Sequence, residues 1–505
     1  PFNKLPFLPE NGQGMNPLLQ NPGMIFHPPT LYLGYVGFTI PFAFAIAALI
    51  TGQLGEGWLK STRGWIIFSW YTLGIGILFG ANWAYQVLGW GGYWAWDPVE
   101  NASLIPWLTG TAFLHSIMIQ EKRGMLKIWN MVLIILTFLL CIFGTFITRS
   151  GVISSVHSFA RSSIGYYFII FILVSCVYSF WLVGKRKEEL TSERPLDSLL
   201  SRESSFLFNN LILVGAAFAV FWGTVFPIVS EAVRGTKVTV GPPFFNRIMT
   251  PIGFALLLLT GICPLISWNR ATWSNFKKNF LIPSIFTVIF FVILYVAGIR
   301  HIKAAVSFSL CFFVFITILL EYYRGTRARM QVVGEGIIRA FVNLNLKNRR
   351  RYGGYLIHIA MLMIFAGITG SSAFSIEKEV VLRKGESVEI KNYKITYSDF
   401  KIERKMNKFV AQAELLVMNN EKNIGTMKPV KAFYFNQMDQ PVSEVSIRTG
   451  LKEDLYAILA GYDEFGKTAV FKFLVNPLVI WIWLGGVVMT AGTLLAVWPE
   501  KKRNP

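Results

Sequence analysis

Long apolar segments separated by short polar loops dominate the chain. Eleven of them reach the roughly 20 residues that a helix needs to cross a bilayer. The pattern therefore predicts an all-α polytopic membrane protein with about eleven transmembrane helices. The predicted spans are 31–52, 64–84, 102–120, 126–148, 164–184, 206–230, 244–267, 280–298, 303–323, 355–374 and 474–498.

Residues 375–473 interrupt this pattern with alternating polar and apolar positions. The alternation is clear in Glu379-Val-Val-Leu-Arg-Lys, Val388-Glu-Ile-Lys and Lys394-Ile-Thr-Tyr, with Gly and Asn-Asn breaks between such runs. A period of two is typical of half-buried strands. We therefore predict a membrane core in residues 1–374, a β-rich domain in 375–473, and a last helix with a basic tail in 474–505.

The charge of the chain is a topology signal. Lys and Arg number 48 against 28 Asp and Glu, so the formal net charge is +20, yet only 15% of residues are charged and 53% are hydrophobic. This composition excludes a disordered chain, a collagen-like chain and a compact soluble enzyme. Most basic residues of the short loops lie in alternate loops, as the positive-inside rule requires. We therefore expect no nucleic-acid partner, and we expect the β-rich domain and the loops after residues 84, 148, 230 and 298 to face outward.

The first residue is Pro rather than Met, and no signal peptide precedes the first apolar segment. We therefore expect the chain to begin inside a longer protein or to have lost its start. The four cysteines each stand alone in an apolar segment, without a CxxC or CxxCH motif. This argues against a thiol oxidoreductase, a zinc protein and a covalent c-type cytochrome, and favours small buried hydrophobic side chains.

Two of the five histidines lie inside predicted spans. A rise of 1.5 Å per residue places His115 roughly 20 Å below the outer edge of its span and His358 about 5 Å from the inner edge, so both lie in the inner half of the membrane. They could be the axial ligands of one b-type haem, or two unrelated polar residues packed between helices. His27 and His157 fall in outer loops, where they could bracket a second haem or be ordinary surface residues. His301 is predicted to be interfacial.

Residues 83–107 hold five of the sixteen tryptophans. The segment contains Trp83 and then reads Trp90-Gly-Gly-Tyr93-Trp94-Ala-Trp96-Asp97-Pro-Val-Glu-Asn101-Ala-Ser. An aromatic belt at the membrane interface is one interpretation, but a belt needs neither this density nor adjacent glycines. The glycines would let backbone or a flat ligand approach, and the indole faces suit a planar macrocycle.

The end of this segment also predicts a helix start. Asp97 is a good N-cap, Pro98 suits the first helical position, and Glu100 stands where a capping box needs it. We therefore favour a capping role for Asp97 and Glu100 over an acid–base pair. The helix that they open would carry His115.

The tryptophan segment resembles the WWD signature of the haem-handling proteins of cytochrome c biogenesis. The whole chain is similar to the CcmF/NrfE branch of that family, also in Phe26-His-Pro-Pro-Thr-Leu-Tyr, Gly144-Thr-Phe-Ile-Thr-Arg-Ser-Gly, Val240-Gly-Pro-Pro-Phe-Phe-Asn and the tail from Trp483 to Pro499. The β-rich domain favours this branch over the shorter CcsA-type synthases. The chain departs from the pattern because further N-terminal spans are absent, and because Tyr93 stands where a third adjacent Trp is often found.

The resemblance implies which residues handle haem. His27 and His157 would hold substrate haem at an outer site, while His115 and His358 would ligate a permanent haem b within the membrane. The resemblance also implies positioning or binding of haem by the aromatic and polar residues Trp83, Trp90, Tyr93, Trp94, Trp96, Asp97, Asn101 and Arg149. Arg149 would pair with a propionate, or it would be an interfacial anchor.

The implied activity is that of a holocytochrome c synthase, or haem lyase, subunit in the bacterial inner membrane, with its site facing the periplasm. Two thiols of an apocytochrome c CxxCH motif would add across the haem vinyl groups, and the intramembrane haem b would relay electrons, with quinol as a possible reductant. The implied partners besides the lipid bilayer are the haem chaperone CcmE, apocytochrome c, CcmH and CcmI. A haem exporter should show internal repeats, which we do not find. A b-type quinol oxidoreductase would leave the tryptophan segment unexplained.

Overall fold

The computed structural model describes residues 6–8, 12, 14–153, 155, 164–192, 198, 201–266 and 272–499. Among these residues, eleven helical segments are long and apolar enough to cross a membrane, which confirms the predicted number. The helices are α1 Gly23–Gly37, α2 Thr39–Thr51, α3 Gly57–Val87, α4 Pro98–Arg123, α5 Lys127–Ser150, α6 Gly165–Lys185, α7 Arg202–Arg234, α8 Pro242–Ile262, α9 Trp273–Val296, α10 Ile302–Val333, α11 Ile337–Lys347, α12 Arg349–Phe374 and α13 Ile480–Val497. Helices α1 and α2 together form the first span, and α11 is too short to be one.

The first span begins earlier than the sequence predicts. The Asn21 side chain accepts a hydrogen bond from the Gly23 N–H at 2.7 Å and so starts α1, which continues through Pro28 and Pro29. Proline inside a helix removes a backbone hydrogen bond and usually kinks or breaks it, yet α1 runs through both prolines to Gly37. The prediction that His27 lies in an outer loop is wrong, because His27 is a residue of α1.

One compact unit comprises Pro28–Leu78, Trp94–Thr369 and Trp481–Pro505. Its main apolar core includes Leu73, Ile105 and Phe113, each at most 1% exposed. Glycine allows the helices to approach closely, since a Cβ on Gly34 of α1 would lie 2.6 Å from the Leu73 Cα of α3. Small residues at such crossings are typical of packed membrane helices.

The other compact unit comprises Pro1–His27, Phe79–Tyr93 and Gly370–Ile480. Its ten strands form two antiparallel sheets, which confirms the predicted β-rich domain before the last helix. The strands are β1 Ile376–Arg383, β2 Ser387–Ile390, β3 Tyr393–Arg404, β4 Lys408–Asn419, β5 Lys422–Met427, β6 Val430–Tyr434, β7 Val442–Glu444, β8 Ser446–Arg448, β9 Glu453–Tyr462 and β10 Thr468–Pro477. One sheet has the order β1-β10-β9-β8, and the other has the order β2-β3-β4-β6-β7 with β5 paired to β4.

Alternating apolar side chains of the two sheets form the core of this domain. Tyr397, Phe471 and Phe473 are fully buried there. Strand β10 continues to Pro477 and α13 begins at Ile480, so residues 474–477 belong to the strand and not to the last span. A short buried apolar run has the same sequence pattern in a strand and in a helix, which explains the difference.

Candidate functional site

The structure brings His115 of α4 and His358 of α12 together. Their ring centroids are 6.3 Å apart, and the ring planes differ by 10°. The Nδ1 of His115 lies 2.8 Å from the Thr111 carbonyl oxygen. Because a carbonyl only accepts, this Nδ1 carries the proton, and the Nε2 lone pair of His115 is available to a metal. The Nδ1 of His358 is buried and has no hydrogen-bond partner among the described residues.

The surroundings of the two histidines fit an iron with axial imidazole ligands. Imidazole is a common ligand of haem iron, and the 6.3 Å between the ring centroids leaves the two rings out of contact with each other. Among the described residues, no group of three or more His, Cys, Asp or Glu stands close enough together to hold a metal ion. Gly354 lies one turn before His358, and a Cβ built on it would have no heavy atom within 4 Å, so the space beside it is open. The ring centroid of Phe206, on α7, lies 6.0 Å from that of His115.

His27 lies beside Trp83 in the unit that contains the β-sandwich. The two rings are stacked at 6.3 Å with an angle of 14° between their planes. A Cβ on Gly80 would lie 2.6 Å from the His27 Cε1, so only glycine admits the ring at this point of α3. His157, the other predicted outer ligand, lies outside the described residues.

We call residues 88–97, between α3 and α4, the tryptophan loop. Its glycines are close to side chains of the protein itself. A Cβ on Gly91, which has φ +85°, would lie 2.6 Å from the Leu474 Cδ2, and a Cβ on Gly92 would lie 2.4 Å from the Trp90 ring. The space that the sequence suggested for a flat ligand at these two glycines is thus filled by Leu474 and Trp90. Trp90 itself remains 36% exposed.

Buried hydrogen bonds join the tryptophan loop and the end of α3 to the sandwich. The Tyr85 hydroxyl donates to Asp454 Oδ2 at 3.2 Å, and the Tyr456 hydroxyl donates to the Tyr85 carbonyl at 3.0 Å. The Asn476 Nδ2 donates to the Tyr85 hydroxyl at 3.1 Å and to the Gly91 carbonyl at 3.0 Å. The sandwich side chains of this group are almost fully buried.

Tyr93, in the second half of the tryptophan loop, is held by a hydroxyl contact and a ring contact. Its hydroxyl lies 2.8 Å from the Ser371 Oγ, and its ring meets Tyr85 edge-on at 6.5 Å. Burial raises the pKa of Tyr93 above its ordinary value, so the hydroxyl stays protonated at neutral pH. The hydroxyl of Tyr93 thus anchors this position to Ser371.

The burial of Asp454 makes the stability of this unit depend on pH. Burial raises the pKa of Asp454 from 3.8 to about 6. The folded state therefore holds the proton more tightly than the unfolded state, and the contribution of Asp454 to stability is complete below about pH 4 and is lost as the pH rises towards 6. The total change is roughly 3 kcal/mol at most, at 1.36 kcal/mol per pKa unit.

We expect this loss of stability to lower the melting temperature of the wild-type chain in detergent as the pH rises from 4 to 7. The Asp454→Asn variant lacks the titrating group, so the wild-type melting temperature should fall relative to that of the variant over this range. Two melting curves that shift in parallel with pH would contradict a raised pKa at Asp454.

Trp96 is fixed within the unit that contains most of the membrane helices. Its ring stacks on Phe245 at 5.0 Å and meets Trp94 edge-on at 5.8 Å, and its Nε1 donates to the Asn246 Oδ1 at 2.8 Å. The backbone of Trp96 has φ +58°, which is rare for a bulky residue. Such a conformation persists only where neighbouring contacts hold it.

The predicted capping box at the start of α4 is confirmed. Asp97 accepts from the Val99 N–H, and the Glu100 carboxylate accepts from the Asp97 N–H at 3.1 Å. The Ser155 hydroxyl also donates to Asp97, at 2.6 Å. Both Asp97 and Glu100 therefore fix the backbone where the tryptophan loop ends and α4 begins.

Asn101 and Arg149 occupy different environments. The buried Asn101 Nδ2 donates to the Trp96 carbonyl and to the Thr224 Oγ1, at 3.1 Å each, so it fixes the backbone of Trp96. Arg149 lies in the last turn of α5 and is exposed.

His301 caps α10, since its Nδ1 accepts from the Ala304 N–H at 3.3 Å.

Several positioning residues were not evident from the sequence. Thr111 orients His115 through its backbone, which no sequence pattern reports. Phe245 and Asn246 end the Val240-Gly-Pro-Pro-Phe-Phe-Asn stretch, which only the family resemblance singles out. No local sequence pattern marks Asp454 or Asn476. Asp454 does stand directly before the mostly apolar residues 455–459, and a buried Asp needs a hydrogen-bond partner.

Known proteins resemble both the helical part of the chain and its sandwich. Residues 2–154 match the family described as Cytochrome C assembly protein, and residues 373–477 match the CcmF C-terminal beta-sandwich. Over its whole length the chain is 36% identical to the Cytochrome c-type biogenesis protein CcmF of Escherichia coli (strain K12), of which it covers 76%. It is 33% identical to the Cytochrome c-type biogenesis protein NrfE of Haemophilus influenzae, of which it covers 77%.

A solved structure, Cytochrome c Heme Lyase CcmF, superposes with a TM-score of 0.80 at 30% identity. The match covers 95% of this chain and 73% of that one. Both the helical part and the sandwich thus have counterparts in proteins of one kind, and the sequence identity extends over the whole chain. The chain is a multi-pass membrane protein that belongs to the CcmF/NrfE family of cytochrome c assembly proteins.

Proposed function

We propose that this chain is the haem lyase subunit that positions haem for covalent attachment to apocytochrome c. The observation that carries the proposal is the arrangement along α4. The helix begins at Pro98, directly after the fixed indoles of Trp94 and Trp96, and it carries His115 about 25 Å further along its axis. One rigid helix thus joins an aromatic loop suited to a planar macrocycle with a histidine pair suited to a haem iron.

At the outer site the substrate is haem. By the family resemblance, the indoles of Trp90 and Trp94 would stack on it, His27 and His157 would hold the iron, and Arg149 would pair with a propionate. Each cysteine thiol of the CxxCH motif adds across one vinyl group, so that an S–C bond forms and the thiol proton passes to the other vinyl carbon. No net oxidation accompanies this addition. The role of the protein is to hold the vinyl edge and the thiol in register.

Within the membrane, His115 and His358 would be the axial ligands of a resident haem b. A bound haem supplies one-electron redox chemistry. The Thr111 carbonyl keeps the His115 proton on Nδ1, so that the Nε2 lone pair would be free to bind the iron. Phe206 provides an apolar wall beside the ring of His115.

The same proposal places the chain in a bacterial inner membrane with the tryptophan loop on the periplasmic side. The excess of Lys and Arg in the opposite loops supports this orientation. The partners would be apocytochrome c, the haem chaperone CcmE, and the apoprotein-handling proteins CcmH and CcmI. Quinol would be the reductant.

The test is restoration of cytochrome c assembly in a strain that lacks its own CcmF. A reporter apocytochrome with one CxxCH motif is expressed with the chain and with the partner proteins, and covalent haem is measured by peroxidase staining after denaturing electrophoresis. We expect stained reporter with the chain and none without it. If the chain carries haem b but the reporter stays unstained, the chain is instead a b-type oxidoreductase without lyase activity.

A further inference from the structure

The Asn476 amide connects three separate segments of the chain. Its Oδ1 accepts from the Ser375 hydroxyl at 2.6 Å, and its Nδ2 donates both to the Tyr85 hydroxyl and to the Gly91 carbonyl. All the hydrogen-bonding capacity of the Nδ2 group is therefore used, in a side chain that is only 3% exposed. A buried amide bonded in this way fixes the segments that it joins, because moving any of them would leave a buried polar group unsatisfied.

Asp454 completes the same arrangement from the neighbouring strand. It accepts from the Tyr85 hydroxyl, and its other oxygen accepts from the Gly450 N–H at 3.2 Å. Strands β9 and β10 pair Asp454 with Asn476 directly across the sheet. The Tyr85 hydroxyl thus accepts from one of these side chains and donates to the other, which sets its orientation.

The contacts converge on the tryptophan loop and on the last turns of α3. The Tyr456 hydroxyl of β9 donates to the Tyr85 carbonyl, and the Leu474 side chain of β10 packs closely against Gly91. The left-handed backbone of Gly91 makes the loop turn at the point where Asn476 holds its carbonyl. None of these sandwich residues was assigned a role by the sequence or by the family resemblance.

We propose that Asp454 and Asn476 are positioning residues, and that the sandwich serves as the scaffold that sets the conformation of the tryptophan loop for haem attachment. The inference rests on the proposed function of the loop. It gives the β-rich domain a specific task, since two neighbouring strands fix the loop backbone just before the indoles of Trp94 and Trp96. The two residues act through Tyr85 and Gly91 and touch no haem themselves.

The test compares two chemically identical changes in the full chain. Tyr456→Phe removes the hydroxyl that holds Tyr85, whereas Tyr397→Phe removes an equally buried hydroxyl that donates to the Gly466 carbonyl elsewhere in the sandwich. Asn476→Asp adds an isosteric change in which a carboxylate cannot donate to Gly91 or Tyr85. Hydrogen exchange of amides 86–96 and covalent haem on the reporter are measured for each variant.

We expect Tyr456→Phe and Asn476→Asp to exchange loop amides about tenfold faster and to lose most reporter haem. Tyr397→Phe should do neither at a comparable melting temperature. The more conservative Asp454→Asn should protect the loop better than Asp454→Ala, because it keeps an acceptor for Tyr85.

Unchanged exchange of the loop in Asn476→Asp would overturn the proposal, and so would faster exchange with undiminished reporter haem. If the wild-type chain attaches no haem at all, the proposed function fails, while the exchange measurements still decide whether the sandwich positions the loop.

Discussion

Replacing His115 or His358 by alanine is expected to remove the haem b that we propose these two residues hold in the purified chain. The two rings lie 6.3 Å apart and nearly parallel, and each is the only histidine on its helix. If the pair holds a haem iron, loss of one imidazole would remove one of its two protein ligands. Haem content per mole of purified protein should therefore fall to near the background in either variant.

His301→Ala is the matched control for this prediction. His301 is also a histidine of a membrane helix, but its ring caps the start of α10. Removing the cap should cost about 1 kcal/mol of stability and leave the haem content unchanged. Normal haem in both His115→Ala and His358→Ala would show that the pair is not a haem site.

Substituting Trp94 and Trp96 together by alanine is expected to abolish covalent haem attachment while sparing the haem b. Trp96 stacks on Phe245 and is bonded to Asn246, and Trp94 packs edge-on against Trp96. The double change therefore removes the stacking surface together with its support. Misplacement of the reacting groups by about 1 Å can cost 10²-fold in rate, so the reporter should lose at least about that much of its haem.

A double variant at Trp181 and Trp222 controls for the loss of two indoles. These side chains are 57% and 43% exposed on other helices, where they take no part in the tryptophan loop. This control should retain both reporter haem and haem b. If the Trp94 and Trp96 variant still stains the reporter like the wild type, the loop does not position haem.

The sequence alone predicts the depth of His115 and His358 because helical rise is constant. Once a span is recognised, each residue number becomes a distance into the membrane. The cap at Asp97 is equally local, since its partners lie within three residues. Both predictions needed only short-range regularities. The structure confirms the cap and brings the two histidine rings together, while their depth in the membrane stays a prediction.

The contacts that hold the tryptophan loop could not be predicted in this way. Tyr85 and Asp454 are 369 residues apart in the chain, and no periodicity links a helix end to a distant strand. The left-handed backbone of Trp96 is likewise decided by Phe245, Asn246 and Asn101, and not by the preference of tryptophan. The sequence placed His27 before the first predicted span at residue 31, yet α1 already includes His27, whose ring stacks on Trp83 of α3.

The most direct test of the account is a pyridine haemochrome spectrum of the purified wild-type chain. We propose that His115 and His358 hold a haem within the unit that contains most of the membrane helices. We therefore expect the spectrum of non-covalent protohaem, which acidified solvent extracts and which is absent from the His115→Ala and His358→Ala variants. A haem-free wild-type protein, or a protohaem spectrum that persists undiminished in both variants, would contradict it.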